Sequence, residues 1–108
     1  MTSEQPIIGT RELPVTVFVS IGNVDDVLVA RDWARFHAAV AEMLELGGAA
    51  FQGAWFSSPL APWQTAVWCV DVKPGVIDRL KGQLAQIGAS FGRGMIGWNE
   101  VSTSVLLG

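Results

Sequence analysis

The chain of 108 residues contains one cysteine, one histidine and no tyrosine, and only 16% of its residues are charged. A single cysteine, Cys69, cannot close an internal disulfide, which excludes a small fold stapled by such bridges. Residues 1–6 carry neither a basic region nor an apolar run, so no secretory signal is visible. These features together predict a reduced, cytoplasmic protein.

Basic residues are scarce as well. Seven Lys and Arg stand against ten Asp and Glu, which gives a net charge of -3. No stripe of basic residues is present to neutralise a run of phosphates, so nucleic acid is not an expected partner. The uncharged stretch 46–70 is interrupted by glycines, prolines and polar residues, which excludes a membrane span.

Half of the residues are hydrophobic, enough for a single domain with a substantial core. Alternation of apolar and polar residues predicts the strands, and apolar residues recurring at three- and four-residue spacing predict two helices. The predicted elements, in chain order, are strand 15–21, helix 30–46, strands 50–57 and 64–72, helix 73–91 and strand 95–101. Residues 1–12 are expected to form a flexible arm, and 13–108 a single domain.

This order of elements is the split βαβ pattern. We therefore predict an α+β, ferredoxin-like βαββαβ domain in which two helices cover one face of an antiparallel four-stranded sheet. The other face of such a sheet lies open, so the residues pointing away from the helices become informative.

The open face is predicted to be apolar to an unusual degree. Alternation places these residues on it: Thr16, Phe18, Ser20, Gln52, Ala54, Phe56, Thr65, Val67, Cys69 and Asp71. For the last strand two alternatives remain: either Met95, Gly97 and Asn99 or Ile96, Trp98 and Glu100 point outward. A sheet face with so little charge is expected to be covered by a second copy, by a partner protein, or by the arm or tail of the chain.

Five tryptophans in a chain without tyrosine favour buried rings and an apolar interface over a hydrogen-bonding active site. Trp63, beside Pro62 in the central loop, is the candidate exposed anchor. The predicted partner-binding residues are Phe18, Phe56, Trp63, Val67 and Trp98.

Residues capable of catalysis are few. His37 lies on the flank of the first helix's apolar stripe, and Cys69 has no second cysteine or histidine nearby in the sequence. Asp25 and Asp26 are adjacent carboxylates in a predicted turn without further acidic ligands. No catalytic residue, cofactor or metal is therefore predicted.

Three segments carry a first resemblance: 17–23 with Asp25 and Asp26, 53–57, and 62–64. They look like segments of small uncharacterised proteins of actinobacteria and their bacteriophages. The resemblance implies an accessory or host-interaction protein.

Asn23 and Trp68 carry a second resemblance, because the overall pattern is similar to dimeric α+β barrel proteins. That group includes cofactor-independent monooxygenases with an Asn on the first strand, a Trp on the third and, in haem-degrading members, a His on the second helix. The predicted second helix, 73–91, contains no histidine.

The leading hypothesis is a non-enzymatic protein that binds itself or another protein through the uncharged sheet face and the tryptophan-bearing loop. The alternative is a dimeric α+β barrel around a small apolar ligand, an oxygenase or isomerase, lined by Asn23, His37 and Trp68. A third interpretation, an RNA-binding sheet on which Phe18 and Phe56 stack bases, lacks basic surroundings.

Overall fold

A computed structural model of the chain describes residues 13–23, 28–58, 60–92 and 96–101. The predicted arm 1–12, the turn with Asp25 and Asp26, and the tail 102–108 lie outside the described residues.

The described residues form four strands and two helices. They are β1 (Val15–Asn23), α1 (Ala30–Leu46), β2 (Ala50–Phe56), β3 (Gln64–Val72), a short 3-10 turn (Pro74–Val76), α2 (Ile77–Ser90) and β4 (Gly97–Glu100). Strand β1 continues two residues beyond its predicted end, because Gly22 and Asn23 still pair with Thr65 and Gln64.

The second helix begins later than predicted. Pro74 starts a 3-10 turn, a position that suits proline because no hydrogen bond from its nitrogen is required there. Regular α-helix begins only at Ile77. Among the described residues, no helix is both long and apolar enough to cross a membrane.

The strands lie in the order β2-β3-β1-β4, and every neighbouring pair is antiparallel. The central pair is regular from Val15 opposite Val72 to Asn23 opposite Gln64. This is the predicted ferredoxin-like arrangement, an antiparallel sheet built from two βαβ halves.

Two glycines follow the first helix and end it. Gly48 has a φ of +81°, a left-handed conformation that is strained for residues with a Cβ. Its N–H donates to the carbonyl of Glu45 at 3.0 Å, and the N–H of Ala49 donates to that of Leu44 at 3.0 Å. This pair of bonds is the Schellman pattern, which turns the chain from α1 directly into β2.

One face of the two central strands is buried beneath the helices. The strands contribute Val17, Val19, Ile21, Ala66, Trp68, Val70 and Val72, and the helices contribute Phe36, Val40, Leu44, Leu80 and Leu84. These positions alternate in β1 and β3 and recur at helical spacing in α1 and α2, so the helices share one face of the sheet.

Strand β2 departs from simple alternation. Its register against β3 shifts between Phe51 and Gly53, so one extra residue is accommodated and the side chains after it change face. Ala54 pairs with Trp68, and Phe56 lies opposite Ala66, positions that face the helices. The prediction that Ala54 and Phe56 lie on the open face is therefore wrong.

The pairing of β4 with β1 shows which face of β4 is directed towards the helices. Trp98 pairs with the inward-facing Val19, and the Nζ of Lys81 on α2 lies 5.6 Å from the centroid of its indole ring. Trp98 thus lies on the helix face rather than on the sheet face predicted to bind a partner, while Gly97 and Asn99 point to the open face.

Candidate functional site

The open side of the sheet, which we call the outer face, is the first candidate site. It is defined by Thr16, Phe18, Ser20, Gln52, Gly53, Trp55, Thr65, Val67, Cys69, Asp71, Gly97 and Asn99. Lys and Arg are missing from this set, and Asp71 is its one carboxylate.

The centre of the outer face is an apolar patch made of Phe18, Trp55, Val67 and Cys69. Phe18 is 42% exposed and Trp55 is 60% exposed. Phe18 pairs with Cys69, and Val67 pairs with Trp55, so the four side chains lie in two adjacent rows across the sheet. They border a shallow hollow of about 250 Å³ whose floor includes Gly53. Gly53 adds no side chain to this hollow. The space above it is empty, since a Cβ built on Gly53 would meet nothing within 4 Å.

Asp71 lies at the margin of the outer face and is held by two neighbours. The Thr16 hydroxyl donates to one carboxylate oxygen at 2.7 Å, and the Gln52 amide donates to the other at 2.8 Å. The charge next to the apolar patch is therefore already hydrogen-bonded within the sheet, which reduces its cost in an interface.

The second candidate site lies on the opposite side of the sheet, between the start of α1, the end of β2 and the start of β3. It is a cleft of about 360 Å³, the His37 cleft, lined by Trp33, His37, Phe56, Ser57, Ser58 and Gln64 among others. Apart from His37, no residue in the described lining of the cleft carries a titratable side chain.

Aromatic rings surround His37. Its imidazole lies edge-on to Phe56 at 4.5 Å, to Trp68 at 5.0 Å and to Trp33 at 6.2 Å between ring centroids. Burial among these apolar rings lowers the pKa of His37, because the charged form loses hydration. Burial therefore favours the neutral imidazole, in which one nitrogen donates and the other accepts.

Several polar side chains of the cleft carry hydrogen-bond donors that have no acceptor among the described residues. Ser57 Oγ accepts from the N–H of Thr65 at 2.9 Å, and Ser58 Oγ accepts from the N–H of Leu60 at 3.1 Å. Within the part of the chain that the structure describes, neither hydroxyl donates to an acceptor, and neither ring nitrogen of His37 is hydrogen-bonded. Within the described ranges, the side-chain amide of Gln64 bonds through its oxygen alone, which accepts from the Asn23 amide at 3.4 Å.

Asn23 is a structural residue rather than a wall of the cleft. It is 1% exposed, its Nδ2 donates to the carbonyl of Leu28 at 2.9 Å, and its Oδ1 accepts from the N–H of Leu28 at 3.0 Å. These two bonds tie the last residue of β1 to Leu28, which lies shortly before α1. The expectation that Asn23 lines a ligand cavity with His37 and Trp68 is wrong, because its amide already bonds to the chain.

The predicted site residues divide into separate groups. Phe18 and Val67 lie on the outer face, and Trp63 lies in the loop before β3 with 64% of its surface exposed. His37 and Phe56 meet at the cleft, with Trp68 buried behind them.

Trp55 is the site residue that sequence reasoning missed. Simple alternation along β2 places it beneath the helices, whereas the bulge before it turns it outward. Gly53 is the available signal, because an isolated glycine within a strand pattern often marks a bulge.

Groups able to bind a metal do not cluster in the described part of the chain: no three His, Cys, Asp or Glu side chains come together there. Cys69 is a free, half-buried thiol on the outer face.

Comparisons with known proteins give information on the fold alone. No protein-family model matches the chain, and no curated protein matches it. The chain is similar to a solved structure, the crystal structure of an unknown protein from Galdieria sulphuraria, with a TM-score of 0.60 and 15% sequence identity. The match covers 94% of this chain and 54% of that chain, so the chain spans about half the length of the solved protein.

Proposed function

We propose that the protein is a non-enzymatic interaction domain that binds a second copy of itself through the outer face. The observation that carries this proposal is the apolar patch, in which the rings of Phe18 and Trp55 project beside an apolar hollow. Burying such rings is a strong contribution to association, because aromatic side chains remove a large apolar area from water.

The shape of the patch favours a second copy over an unrelated partner. A two-fold symmetric interface brings the same patch of both subunits together, so the patch must complement itself. Here an exposed ring, Trp55, stands next to a hollow floored by Gly53. In the proposed dimer, Trp55 of each copy fills the hollow of the other.

The charge of the outer face is compatible with such a pairing. Asp71 is its one carboxylate among the described residues and lies at the margin, where Thr16 and Gln52 donate to it. Two copies therefore meet without an unpartnered charge in the centre of the interface. The absence of Lys and Arg from the described outer face favours protein over nucleic acid as the partner.

The resemblance to small actinobacterial and bacteriophage proteins supports a biological role for the proposed dimer. In this proposal the self-associated domain is an accessory or host-interaction protein. Trp63 and Leu60, exposed in the loop between β2 and β3, then remain outside the dimer and are free to contact a further protein.

Matched tryptophan substitutions test the proposal. Trp55→Ser removes a ring from the patch, whereas Trp63→Ser removes a ring of similar exposure from the loop. We expect Trp55→Ser to weaken self-association, followed by sedimentation velocity, at least about tenfold, as truncation of an interface hot spot does. Trp63→Ser is expected to leave it unchanged. Dissociation caused by Trp63→Ser but not by Trp55→Ser would place the interface on the loop and refute the proposal.

A further inference from the structure

We propose that the His37 cleft binds a small, uncharged aromatic molecule that carries a carbonyl oxygen, such as an aryl ketone. The cleft lies on the helix side of the sheet, so this site is separate from the outer face and does not depend on self-association.

The walls of the cleft suit a flat ring. Trp33, His37 and Phe56 present aromatic groups to one space, with His37 edge-on to both neighbours. Phe56 remains 49% exposed although its strand turns it towards the helices. A planar ligand that covers this ring gains edge-to-face contacts of the kind already made between the side chains.

The polar groups of the cleft are suited to a ligand that carries a hydrogen-bond acceptor. Ser57 and Ser58 each use the hydroxyl oxygen to accept a backbone N–H, which leaves their hydrogens available to donate. Gln64 accepts through its oxygen from Asn23, which directs its amide hydrogens elsewhere. A carbonyl oxygen on the ligand satisfies such donors, whereas a ligand without an acceptor leaves them unpaired.

The electrostatics of the cleft select against a charged ligand. The aromatic rings packed on His37 from α1, β2 and β3 are those of Trp33, Phe56 and Trp68, none of which is charged or titrates. Among the described residues that line the cleft there is no lysine, arginine, aspartate or glutamate. A carboxylate or ammonium entering it loses hydration without gaining a partner of opposite charge.

Three small probes of similar size test this assignment. Acetophenone has the aromatic ring and the carbonyl, cyclohexyl methyl ketone lacks the aromatic ring, and benzoate carries a charge. Binding is followed in 1H–15N spectra through the indole N–H of Trp33, with that of Trp55 as an internal control on the outer face. We expect acetophenone to shift the Trp33 signal saturably and the other two probes to bind more weakly.

Substitutions on one strand supply the matched control. Phe56→Leu removes a ring from the cleft, and Phe51→Leu removes a similarly exposed ring of β2 that is not among the residues lining the cleft. We expect Phe56→Leu to weaken acetophenone binding by about three- to tenfold, the value of an aromatic contact, and Phe51→Leu to leave it unchanged.

Three results overturn the assignment even if Phe56→Leu does not fold. They are the absence of a saturable shift at Trp33 in the unmodified protein, equal binding of benzoate, and a shift confined to Trp55. Unfolding of Phe56→Leu is recognised from the dispersion of its spectrum.

Discussion

The imidazole of His37 lies edge-on to the ring of Phe56, with 4.5 Å between the two centroids. This contact ties the end of β2 to α1. Phe56 reaches the helix layer because the register shift between Phe51 and Gly53 exchanges the faces of the residues that follow it. The same shift turns Trp55 onto the outer face, so one irregularity of the strand creates both candidate sites.

Asn23→Ala is expected to destabilise the fold. The substitution leaves both the N–H and the carbonyl of Leu28 without their partner at a buried position, which costs about 1–3 kcal/mol in the free energy of unfolding. Urea denaturation measures this difference. Gln86→Ala, at an exposed position of α2 away from both candidate sites, is the control and is expected to change stability little. Equal effects of the two substitutions would contradict the role assigned to Asn23.

Two glycine substitutions are expected to act in opposite directions. Gly48→Ala forces a residue with a Cβ into a left-handed conformation and is expected to cost about 1–2 kcal/mol. Gly82→Ala, at an exposed position within α2 where a Cβ meets nothing within 4 Å, is expected to stabilise by up to about 1 kcal/mol. Thermal denaturation compares both with the unmodified chain, and destabilisation by Gly82→Ala would contradict the space assigned to that site.

Stability is expected to depend on the protonation of His37. Burial lowers the pKa of His37 in the folded protein below that of the unfolded chain, which is about 6.5. The unfolded chain therefore binds the proton more readily, and the free energy of unfolding decreases as the pH falls through the window below 6.5. Above that window the contribution is fully present.

His37→Gln isolates this effect from the titration of the carboxylates. Urea denaturation at about pH 7.5 and about pH 5.5 gives the pH-dependent loss of stability for each protein. We expect the loss to be smaller in His37→Gln, because glutamine does not titrate. An equal loss in both proteins would show that His37 titrates alike in the folded and unfolded states.

Elements with regular patterns could be predicted from the sequence. The bounds of α1 are as predicted, because its apolar stripe is continuous and Gly47 and Gly48 follow it directly. The faces of β1 and β3 also follow simple alternation, since the two strands pair without a bulge along their whole length. Alternation therefore predicts the correct face of the sheet for Phe18 and Val67.

The remaining errors arise where a local pattern permits two structures. In β2, both faces carry large apolar residues, so alternation does not reveal the bulge that moves Phe56 inward and Trp55 outward. Asn23 follows a glycine and precedes two aspartates, a sequence typical of a turn, although it pairs with Gln64 at the end of β1. Its bonds to Leu28 depend on the path of the following chain, which the sequence pattern does not specify.

The solution mass of the unmodified protein tests the central claim most directly. Light scattering coupled to size-exclusion chromatography is performed over a range of concentrations and at two salt levels, with a reductant that prevents disulfide bonds between copies through Cys69. The apolar interface predicts a mass of twice 11.6 kDa that salt does not reduce. A mass of 11.6 kDa at every concentration would contradict the proposal that the outer face binds a second copy.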